Sequence, residues 1–376
     1  MSSRGDVLLT GGTGFVGMEV LARYLERGDR RVVMLVRARD DAAARARVDA
    51  TLHNLFGVVK ARRYAGRVDA VASEQTAPSL GLSPIRREEL ARRVSTIVHS
   101  AASVSFTLPI AEAREINLEG TRRMLDFAEL ANARGGLDRY AHISTAYVAG
   151  DHSGRFSELD LDVGQGFHNS YEQSKFESEL LVQERTSVPS TIMRPSIVVG
   201  DRRSGWTAAF NVLYWPLRAF ARGLYAAVPA VESAPLDVVP IDYVADAIYS
   251  LCETPGGIGE TYHLTAGANA STIGEVAELA SRYFKKPLPQ VLSPADFEIA
   301  ARNATESQRT VLEGSLAYFP YFAIGTTFDD ARARARLDPP GILVTPLRDY
   351  LGRLLDFATA SRWGKQPIGR AEALAA

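Results

Sequence analysis

The stretch VLLTGGTGFVGMEVL, residues 7–21, constrains the fold more than any other part of the sequence. An apolar run reaches Thr10, and three glycines then follow at the spacing G-x-x-G-x-x-G before a helical pattern begins. Gly11 permits a tight exit from a strand, Gly14 lets backbone N–H groups approach a pyrophosphate, and Gly17 allows close packing of the helix. A plain glycine-rich turn has the same composition, but this position between the first strand and the first helix is typical of a dinucleotide-binding loop. The predicted ligands in the loop are Thr10, Gly11, Thr13, Gly14, Phe15, Val16 and Gly17.

Short β-rich runs alternate with helical patterns through residues 6–200. This alternation predicts right-handed βαβ units and a parallel sheet that is covered on both faces. From about residue 201 the alternation is lost, returns within residues 236–251, and gives way to a mostly helical tail. We therefore predict an α/β fold with a doubly wound parallel sheet and a smaller, mostly helical domain. The expected boundaries are 1–204 for the dinucleotide-binding domain, with 236–266 returning to it, and 205–235 with 267–376 for the substrate domain.

Charge and cysteine content narrow the classes of partner and compartment. The 376 residues include 43 basic and 44 acidic side chains, and a net charge of -1 argues against bulk binding of nucleic acid. Cys252 is the only cysteine, which excludes an internal disulfide or a cysteine-based zinc cluster and favours a reducing cytosol. The N-terminus enters a strand-like run within six residues, so we expect no signal peptide, and no apolar run is long enough to predict a membrane span. Contact with a membrane surface is left open, and no metal is predicted.

The end of the second strand indicates which dinucleotide is bound. A free ribose 2′-hydroxyl calls for Asp or Glu at this point, whereas the sequence has Arg37. A guanidinium suits a 2′-phosphate, and Arg47, one helix further on, could reach the same group, which favours NADPH over NADH. Asp40 and Asp41 follow closely, so a bare ribose is not excluded. The surrounding residues 30–67 hold ten basic side chains against three Asp, a stretch that suits an anion or a solvated helix face.

Tyr171 and Lys175 lie four positions apart in the helical stretch NSYEQSKFESELL. At that spacing they share one helix face and could simply cover a surface together. A lysine cation could instead lower the pKa of the phenol from about 10, so that the tyrosine exchanges a proton with a substrate oxygen.

Five motifs in order support the second interpretation. TGGTGFVG, VHSAASV, INLEGT, ISTAYV and YEQSK resemble those of the extended short-chain dehydrogenase/reductase superfamily over about 200 residues, which implies a Rossmann-type sheet. The resemblance implies that Thr145, Tyr171 and Lys175 are catalytic, with Ser144 as the alternative bearer of the Thr145 role. Lys175 would also bind the nicotinamide ribose. It further implies cofactor contacts for Ser100, Ala101, Ala102, Asn117, Ser144, Pro195, Ser196 and Val198. An asparagine that braces a buried helix would look like Asn117 as well.

A narrower resemblance is to fatty acyl-CoA reductases and thioester reductase domains, enzymes of lipid metabolism and related pathways. It is carried by PSLGLS, STAYVAGDHSGRFSE, MRPSIVVGDRRSGW and YFAIGTTFDDARARARLD. The branch usually has Gly-Asp where this sequence has Ser73-Glu74, so Glu74 takes the adenine contact with a longer side chain. The implied activity is NADPH-dependent reduction of a long-chain thioester of coenzyme A or acyl carrier protein to the aldehyde, with further reduction to the alcohol left open.

An aromatic and aliphatic stripe in the second domain bears on the substrate. It comprises Trp206, Phe210, Leu213, Tyr214, Leu217 and Phe220 at helical spacing. Such a stripe is either ordinary core or a wall for an acyl chain. Arg202, Arg203, Arg218 and Arg222 flank it and could meet the phosphates of the thioester carrier. Two alternatives stay open: oxidation of a sterol-like or sugar-nucleotide hydroxyl on the same fold, and a non-catalytic NADP-binding protein.

Overall fold

Seven parallel strands form the central sheet in a computed structural model that describes residues 5–210, 212–224, 227–292, 297 and 318–375. The strands of the described residues are β1 (Asp6–Thr10), β2 (Val32–Arg37), β3 (Val68–Ser73), β4 (Val94–His99), β5 (Arg139–Ile143), β6 (Gly154–Phe156), β7 (Ser190–Pro195), β8 (Ile197–Val199), β9 (Ala227–Pro229), β10 (Pro235–Leu236), β11 (Val238–Pro240), β12 (Thr261–Leu264), β13 (Ser271–Thr272), β14 (Gln290–Leu292) and β15 (Thr326–Phe328). The order in the central sheet is β12-β7-β5-β4-β1-β2-β3. This order has its switch point between β1 and β4, and it confirms the predicted doubly wound parallel sheet.

Helices cover both faces of the sheet. Those of the described residues are α1 (Phe15–Arg27), α2 (Asp41–Ala65), α3 (Pro84–Arg93), α4 (Ile110–Arg114), α5 (Gly120–Gly135), α6 (Ser170–Glu184), α7 (Tyr214–Ala221), α8 (Ile241–Glu253) and α9 (Ile273–Phe284), followed by Ala331–Leu337, Leu351–Ala360 and Arg370–Ala373. Short 3₁₀ turns span Pro78–Gly81, Ala146–Ala149, Gly267–Asn269, Phe319–Phe322 and Leu347–Asp349, and a π turn spans Glu115–Glu119. None of the helices within the described residues is long and apolar enough to cross a bilayer.

The strands are buried because successive side chains point to opposite faces of the sheet and pack into a different apolar core on each face. In β1, Val7 and Leu9 pack with α1, α2 and α8 on one face, whereas Leu8 packs with α3 and α5 on the other, and all three are fully buried. Strands covered on both sides need apolar residues at every position rather than at alternate ones. The continuous apolar runs in the sequence therefore have this physical cause.

Two stretches that look like single strands in the sequence, residues 139–148 and 190–200, are each split into two elements in the structure. Residues 139–148 form β5 only as far as Ile143, and a 3₁₀ turn follows at Ala146–Ala149. Residues 190–200 break after Pro195, where β7 stays in the central sheet while β8 pairs in parallel with β11. Proline has no N–H to donate to a neighbouring strand. The chain can therefore change its partner strand after Pro195 without losing a hydrogen bond from that residue.

A second apolar core lies beyond the sheet. It is built from α7, α9 and the helix Leu351–Ala360, together with the turn Phe319–Phe322. The helix Ala331–Leu337 packs instead against α8 and β12, and Arg370–Ala373 packs against α2, so the C-terminal region contacts both cores. The domain boundaries given above stay a prediction.

Candidate active site

The predicted site residues gather at the carboxyl ends of the parallel strands. Thr10 ends β1, Arg37 ends β2, His99 ends β4 and Pro195 ends β7, while Thr145 lies two residues beyond β5. Because these strands are parallel, their carboxyl ends meet at one edge of the sheet, where an open α/β sheet binds its ligand. The sheet order thereby brings together residues up to 185 positions apart in the chain.

The glycine loop has the geometry of a pyrophosphate site. Gly11 has φ +70°, and a Cβ there would lie 2.7 Å from backbone atoms of Ser100 and Ala101. A Cβ on Gly17 would lie 2.2 Å from the Gly11 carbonyl oxygen, so helix and loop approach too closely for a side chain. Gly14 is exposed at the start of α1, no side chain caps that helix, and no acidic residue occupies its first turn. The free N–H groups and the helix dipole fit a bound anion such as the pyrophosphate of a dinucleotide.

The loop after β4 is held against the glycine loop by buried polar side chains. The Thr10 hydroxyl lies 2.8 Å from His99 Nδ1 and accepts a hydrogen bond from the Ala101 N–H at 3.1 Å. Asn117 is 1% exposed, accepts from the Ser103 N–H at 2.8 Å and donates to the Ser103 carbonyl at 3.1 Å. The bracing role that the sequence left open for Asn117 is therefore present, and its cofactor contact stays a prediction.

The π turn around Asn117 also connects to the helix that carries the tyrosine. The carbonyl oxygen of Asn117 accepts from the Ser178 hydroxyl at 3.0 Å, and the side-chain amide of Asn117 donates to the Ser174 hydroxyl at 2.9 Å. Single π turns occur often at functional sites. Residues 110–133 have the pattern of a single helix in the sequence. In the structure the π turn separates α4 from α5 within this stretch, at the point where it contacts α6.

Arg37, at the end of β2, and Arg47, on α2, lie beside the glycine loop. Both side chains are exposed, and that of Arg37 forms no hydrogen bond or ion pair with any described residue. The Arg47 guanidinium donates to the Arg37 carbonyl and, at 3.3 Å, to the Thr13 hydroxyl. Asp40 caps α2 by accepting from the Ala43 N–H at 2.7 Å, and Asp41 accepts from the Ala72 N–H at 2.8 Å. Both nearby carboxylates are therefore engaged by the backbone.

Most of the other basic residues in this region have structural partners. Arg30 pairs with Glu253 at 2.7 Å and Arg31 with Asp69 at 2.7 Å. Arg45 pairs with Asp49, and Arg67 donates to four backbone carbonyls. Most of the basic side chains in residues 30–67 are therefore engaged within the protein. The arginines near the glycine loop are the ones left as candidates for binding an anion.

The hydroxyl groups of Thr145 and Tyr171 meet at the end of β5. Thr145 is 4% exposed and caps the following turn by accepting from the Tyr147 N–H at 3.2 Å. Its side chain also interacts with that of Tyr171, and this interaction acts to lower the tyrosine pKa. The neighbouring Ser144 hydroxyl is buried and has no hydrogen-bond partner among the described residues. The arrangement therefore favours Thr145 over Ser144 as the partner of Tyr171.

Burial raises the pKa of Tyr171 to about 12, and the interaction with Thr145 opposes this shift only in part. The expectation that Lys175 lowers the phenol pKa is therefore wrong for this structure. The Lys175 ammonium donates to the Ile143 carbonyl at 2.9 Å and lies 3.2 Å from His142 Nε2. Its own pKa falls to about 8, because burial disfavours the charged form.

The remaining predicted residues lie at the same edge with different surroundings. Ser196 is buried just after β7, and Val198 is half-buried within β8. Glu74 is half-buried, and its Oε1 accepts from the Thr76 hydroxyl at 3.0 Å. Ser100, Ala101 and Ala102 are half-buried beside the glycine loop. Their contacts with a cofactor stay predictions.

Sequence reasoning missed two buried histidines beneath the site. His99 and His142 pair in register on β4 and β5, and their rings lie 5.7 Å apart. Burial, followed by the charge of Lys175, lowers the pKa of His99 to about 3 and that of His142 well below its usual range. Both are neutral at physiological pH and link Thr10 to Lys175 without adding charge. Their positions at the ends of consecutive strands, in VHS and AHIS, were the available signal.

The described residues contain no group of three or more His, Cys, Asp or Glu side chains that could hold a metal ion.

Comparisons with known proteins agree with this geometry. The profile of the family described as "Male sterility protein" matches residues 9–248. The chain is 33% identical over 249 residues to an isonitrile lipopeptide synthase of Streptomyces coeruleorubidus, which covers 65% of this chain and 16% of the synthase. It is 28% identical over 279 residues to the fatty acyl-CoA reductase wat of Drosophila melanogaster, which covers 64% of this chain and 53% of the reductase. The chain thus spans less than two thirds of the length of these relatives.

A solved structure extends the similarity over nearly the whole chain. The terminal R domain from the myxalamid PKS-NRPS biosynthetic pathway superposes with a TM-score of 0.82 at 25% identity, covering 98% of this chain and 94% of that one. The fold, the order of the motifs and the matched family profile lead to one assignment. The chain belongs to the male sterility protein family, within the extended short-chain dehydrogenase/reductase superfamily.

Proposed function

We propose that this chain is an NADPH-dependent oxidoreductase that reduces a long-chain acyl thioester, carried on coenzyme A or a carrier protein, to the aldehyde. The observation that carries the proposal is the interacting pair of Thr145 and Tyr171 side chains at the dinucleotide edge of the sheet. Two hydroxyls at one point can donate to one carbonyl oxygen and stabilise the negative charge that develops on it. We also propose, from the single cysteine, that the reaction takes place in the cytosol.

The protein groups perform the acid half of the reaction. When bound, the dinucleotide supplies a hydride to the carbonyl carbon. Tyr171, with a pKa of about 12, is protonated at neutral pH and can transfer its phenolic proton to the carbonyl oxygen. The C–S bond of the resulting hemithioacetal then breaks, which releases the aldehyde and the thiol. The same two hydroxyls can bind the aldehyde for a second reduction to the alcohol.

The preference for NADPH rests on the groups around the ribose site. Arg37 is exposed and unpaired among the described residues, and Arg47 lies between it and the loop residue Thr13. Asp40 and Asp41, the carboxylates that could accept from a free 2′-hydroxyl, already accept backbone N–H groups. Guanidinium groups without a carboxylate partner suit a 2′-phosphate.

An apolar cavity in the second core is where we propose that the acyl chain binds. The cavity has a volume of about 80 Å³ and lies between α7 and α9, where Leu213, Leu217 and Phe220 line it. Phe322 also lines it and is adjacent to Tyr321, whose hydroxyl donates to the carboxylate beside Tyr171.

The predicted aromatic stripe thus divides into two parts. Leu213, Leu217 and Phe220 line the cavity, whereas the others pack as core. Trp206, for example, contacts the ring of Phe15 at 5.8 Å.

A phosphate on the thioester carrier is supported by a cleft of about 420 Å³ beyond β8. Arg202, Arg203 and Arg353 line it, together with the single carboxylate Asp349. Arg202 pairs with Asp242 at 2.9 Å, whereas Arg203 and Arg353 are exposed and form no ion pair within the described part of the chain. Arg353 also donates to the carbonyls of Arg202 and Asp349 through one nitrogen. Two guanidinium groups without a carboxylate partner suit the phosphate of coenzyme A or phosphopantetheine.

A direct route without an acyl-enzyme fits the environment of the only cysteine. Cys252 is buried on α8, and burial raises the pKa of its thiol to about 12. The thiolate is the reactive form of cysteine, so a thiol with this pKa is a poor nucleophile.

The experiment is NADPH oxidation with acyl-CoA thioesters of increasing chain length, followed by chromatography of the products. Sterol-like and sugar-nucleotide alcohols are assayed in parallel in the oxidative direction. Reduction of thioesters to aldehyde supports the proposal, whereas oxidation of an alcohol alone replaces it with the general superfamily reaction. NADPH binding without turnover of any substrate leaves the non-catalytic alternative.

The role of the arginine cleft is tested with a phosphate-free substrate. Arg203→Ala should raise the KM for an acyl-CoA and leave the KM for the N-acetylcysteamine thioester of the same acyl group unchanged. Arg62→Ala, at an exposed position on α2, is the matched control and should change neither. An equal effect of Arg203→Ala on both substrates would show that the cleft does not recognise phosphate.

A further inference from the structure

A fully buried carboxylate lies next to the proposed proton donor. Glu172 follows Tyr171 at the start of α6 and is 0% exposed. Its Oε2 accepts from the His168 N–H at 2.9 Å and lies 3.1 Å from His168 Nδ1. Its Oε1 accepts from the hydroxyl of Tyr321. A buried charge is costly unless it is paired and hydrogen-bonded, so these donors determine where the start of α6 can lie.

Tyr321 reaches this carboxylate from the C-terminal part of the chain, 149 residues away. It belongs to the turn Phe319–Phe322 and is 3% exposed. Its hydroxyl also accepts from Asn169 Nδ2 at 2.9 Å, and Asn169 in turn caps α6 by accepting from the Glu172 N–H at 3.0 Å. One phenol is therefore hydrogen-bonded both to the cap of α6 and to the buried carboxylate.

The ring of Tyr321 contacts two further segments of the site, the loop after β4 and the turn after β5. It stacks on Phe106, in the loop after β4, with centroids 5.4 Å apart, and Phe106 in turn lies 6.0 Å from the Tyr171 ring. It meets Tyr147 edge-on at 5.0 Å, and the N–H of Tyr147 donates to Thr145. The segments bearing Thr145 and Tyr171 are thus both packed on one side chain.

We propose that Tyr321 is a positioning residue: by its hydrogen bond to Glu172 and its ring contacts it holds Tyr171 and Thr145 so that both hydroxyls address one substrate oxygen. This inference rests on the proposed function for its catalytic consequence. Tyr321 does not itself deliver a proton, since burial and the adjacent Glu172 carboxylate raise its pKa far above the usual range. Small displacements of reacting groups are costly, with about 1 Å worth up to about a hundredfold in rate.

The test replaces the phenol with a ring of the same shape. Tyr321→Phe keeps every ring contact and removes the hydroxyl, which donates to Glu172 and accepts from Asn169. We expect the kcat for the accepted carbonyl substrate to fall about ten- to hundredfold while the Kd for NADPH stays unchanged. Rates are expressed per folded molecule, counted by NADPH titration, so that a loss of folded protein is not mistaken for a loss of catalysis.

Two further variants separate positioning from general stability. Tyr283→Phe removes another tyrosine–carboxylate bond, the 2.6 Å contact with Asp356 on the surface, and should leave kcat unchanged. Glu172→Gln should lower kcat, and the double variant with Tyr321→Phe should be no slower than the slower single variant, because both changes act on the hydrogen bond between Tyr321 and Glu172. Independent, multiplicative losses would overturn the proposal, as would a Tyr321→Phe enzyme with normal kcat.

Hydrogen exchange provides a readout that needs no substrate. Amides in residues 168–175 should exchange faster in Tyr321→Phe than in the unsubstituted protein, and Tyr283→Phe should not change them. Unchanged exchange in that segment would overturn the proposed contact role. If the unsubstituted protein reduces no carbonyl substrate, the proposed function fails, and the exchange result alone judges Tyr321.

Discussion

Lys175 provides a test of how far the site has been desolvated. The ammonium is 3% exposed, and burial lowers its pKa from 10.5 to about 8. At neutral pH the lysine is charged in both the folded and the unfolded chain, so folding carries the cost of burying the charge. Above the folded pKa the folded chain gives up the proton while the unfolded chain retains it. Stability should therefore rise with pH through this window.

The magnitude follows from the two pKa values. One pKa unit corresponds to about 1.36 kcal/mol, so between about pH 7 and about pH 9.5 the contribution amounts to about 2 kcal/mol. Lys175→Met removes the titrating group. It also leaves the Ile143 carbonyl without its donor, a cost that is the same at every pH. From about pH 7 to about pH 9.5, the free energy of unfolding of the unsubstituted protein should therefore increase by about 2 kcal/mol relative to that of the variant.

The measurement is urea unfolding of both proteins, followed by far-ultraviolet circular dichroism at the two pH values without cofactor. Taking the difference between the two proteins cancels the titration of all other groups. Lys60→Met, at an exposed position on α2, is the control and should show no such pH-dependent difference. A Lys175→Met difference that is equal at both pH values would refute the inference that the ammonium is desolvated.

Four further outcomes are expected. Tyr171→Phe should lower turnover by about 10²- to 10⁴-fold with nearly unchanged NADPH affinity, since the phenol meets the substrate and the glycine loop holds the cofactor; a near-normal rate would contradict its role. Arg37→Ala should weaken NADPH binding about ten- to hundredfold and NADH binding little, as measured by fluorescence titration; equal losses would make Arg37 structural. Ala277→Leu, which projects into the apolar cavity, should reduce kcat/KM for the longest acyl chains and spare short ones, and a uniform loss would argue against an acyl site. Cys252→Ala should retain activity in the same NADPH assay, and inactivity of a folded variant would point to a covalent route.

Local patterns in the sequence were sufficient for the sheet and for the dinucleotide loop. The spacing of Gly11, Gly14 and Gly17 is a steric requirement, because a side chain at Gly17 would collide with the nearby Gly11 carbonyl. At Gly11 a side chain would also collide with the backbone of the loop after β4. The alternation of apolar runs and helical patterns reflects burial on both sides of a parallel sheet. The spacing of Tyr171 and Lys175 likewise needs only one turn of helix to place both on one face.

Charge states and partners were not open to prediction in the same way. The lysine was expected to lower the pKa of Tyr171, but the structure shows a rise, because burial dominates and the Lys175 ammonium contacts the Ile143 carbonyl and His142. Burial is a property of the assembled protein, so no local pattern reveals it. Arg30 and Arg67, which look like anion ligands in the sequence, are occupied by partners that only folding brings near.

The sequence by itself determined the glycine loop, the doubly wound sheet and the tyrosine–lysine spacing, since each depends on neighbours within a few residues. Only the tertiary structure decided which residues surround them. The order of strands set His99 beside His142, and the packing of the C-terminal region brought Tyr321 to Glu172 across 149 residues. Such contacts are made by residues far apart in the chain, and their free energy comes from desolvation and packing that exist only after the layers have assembled.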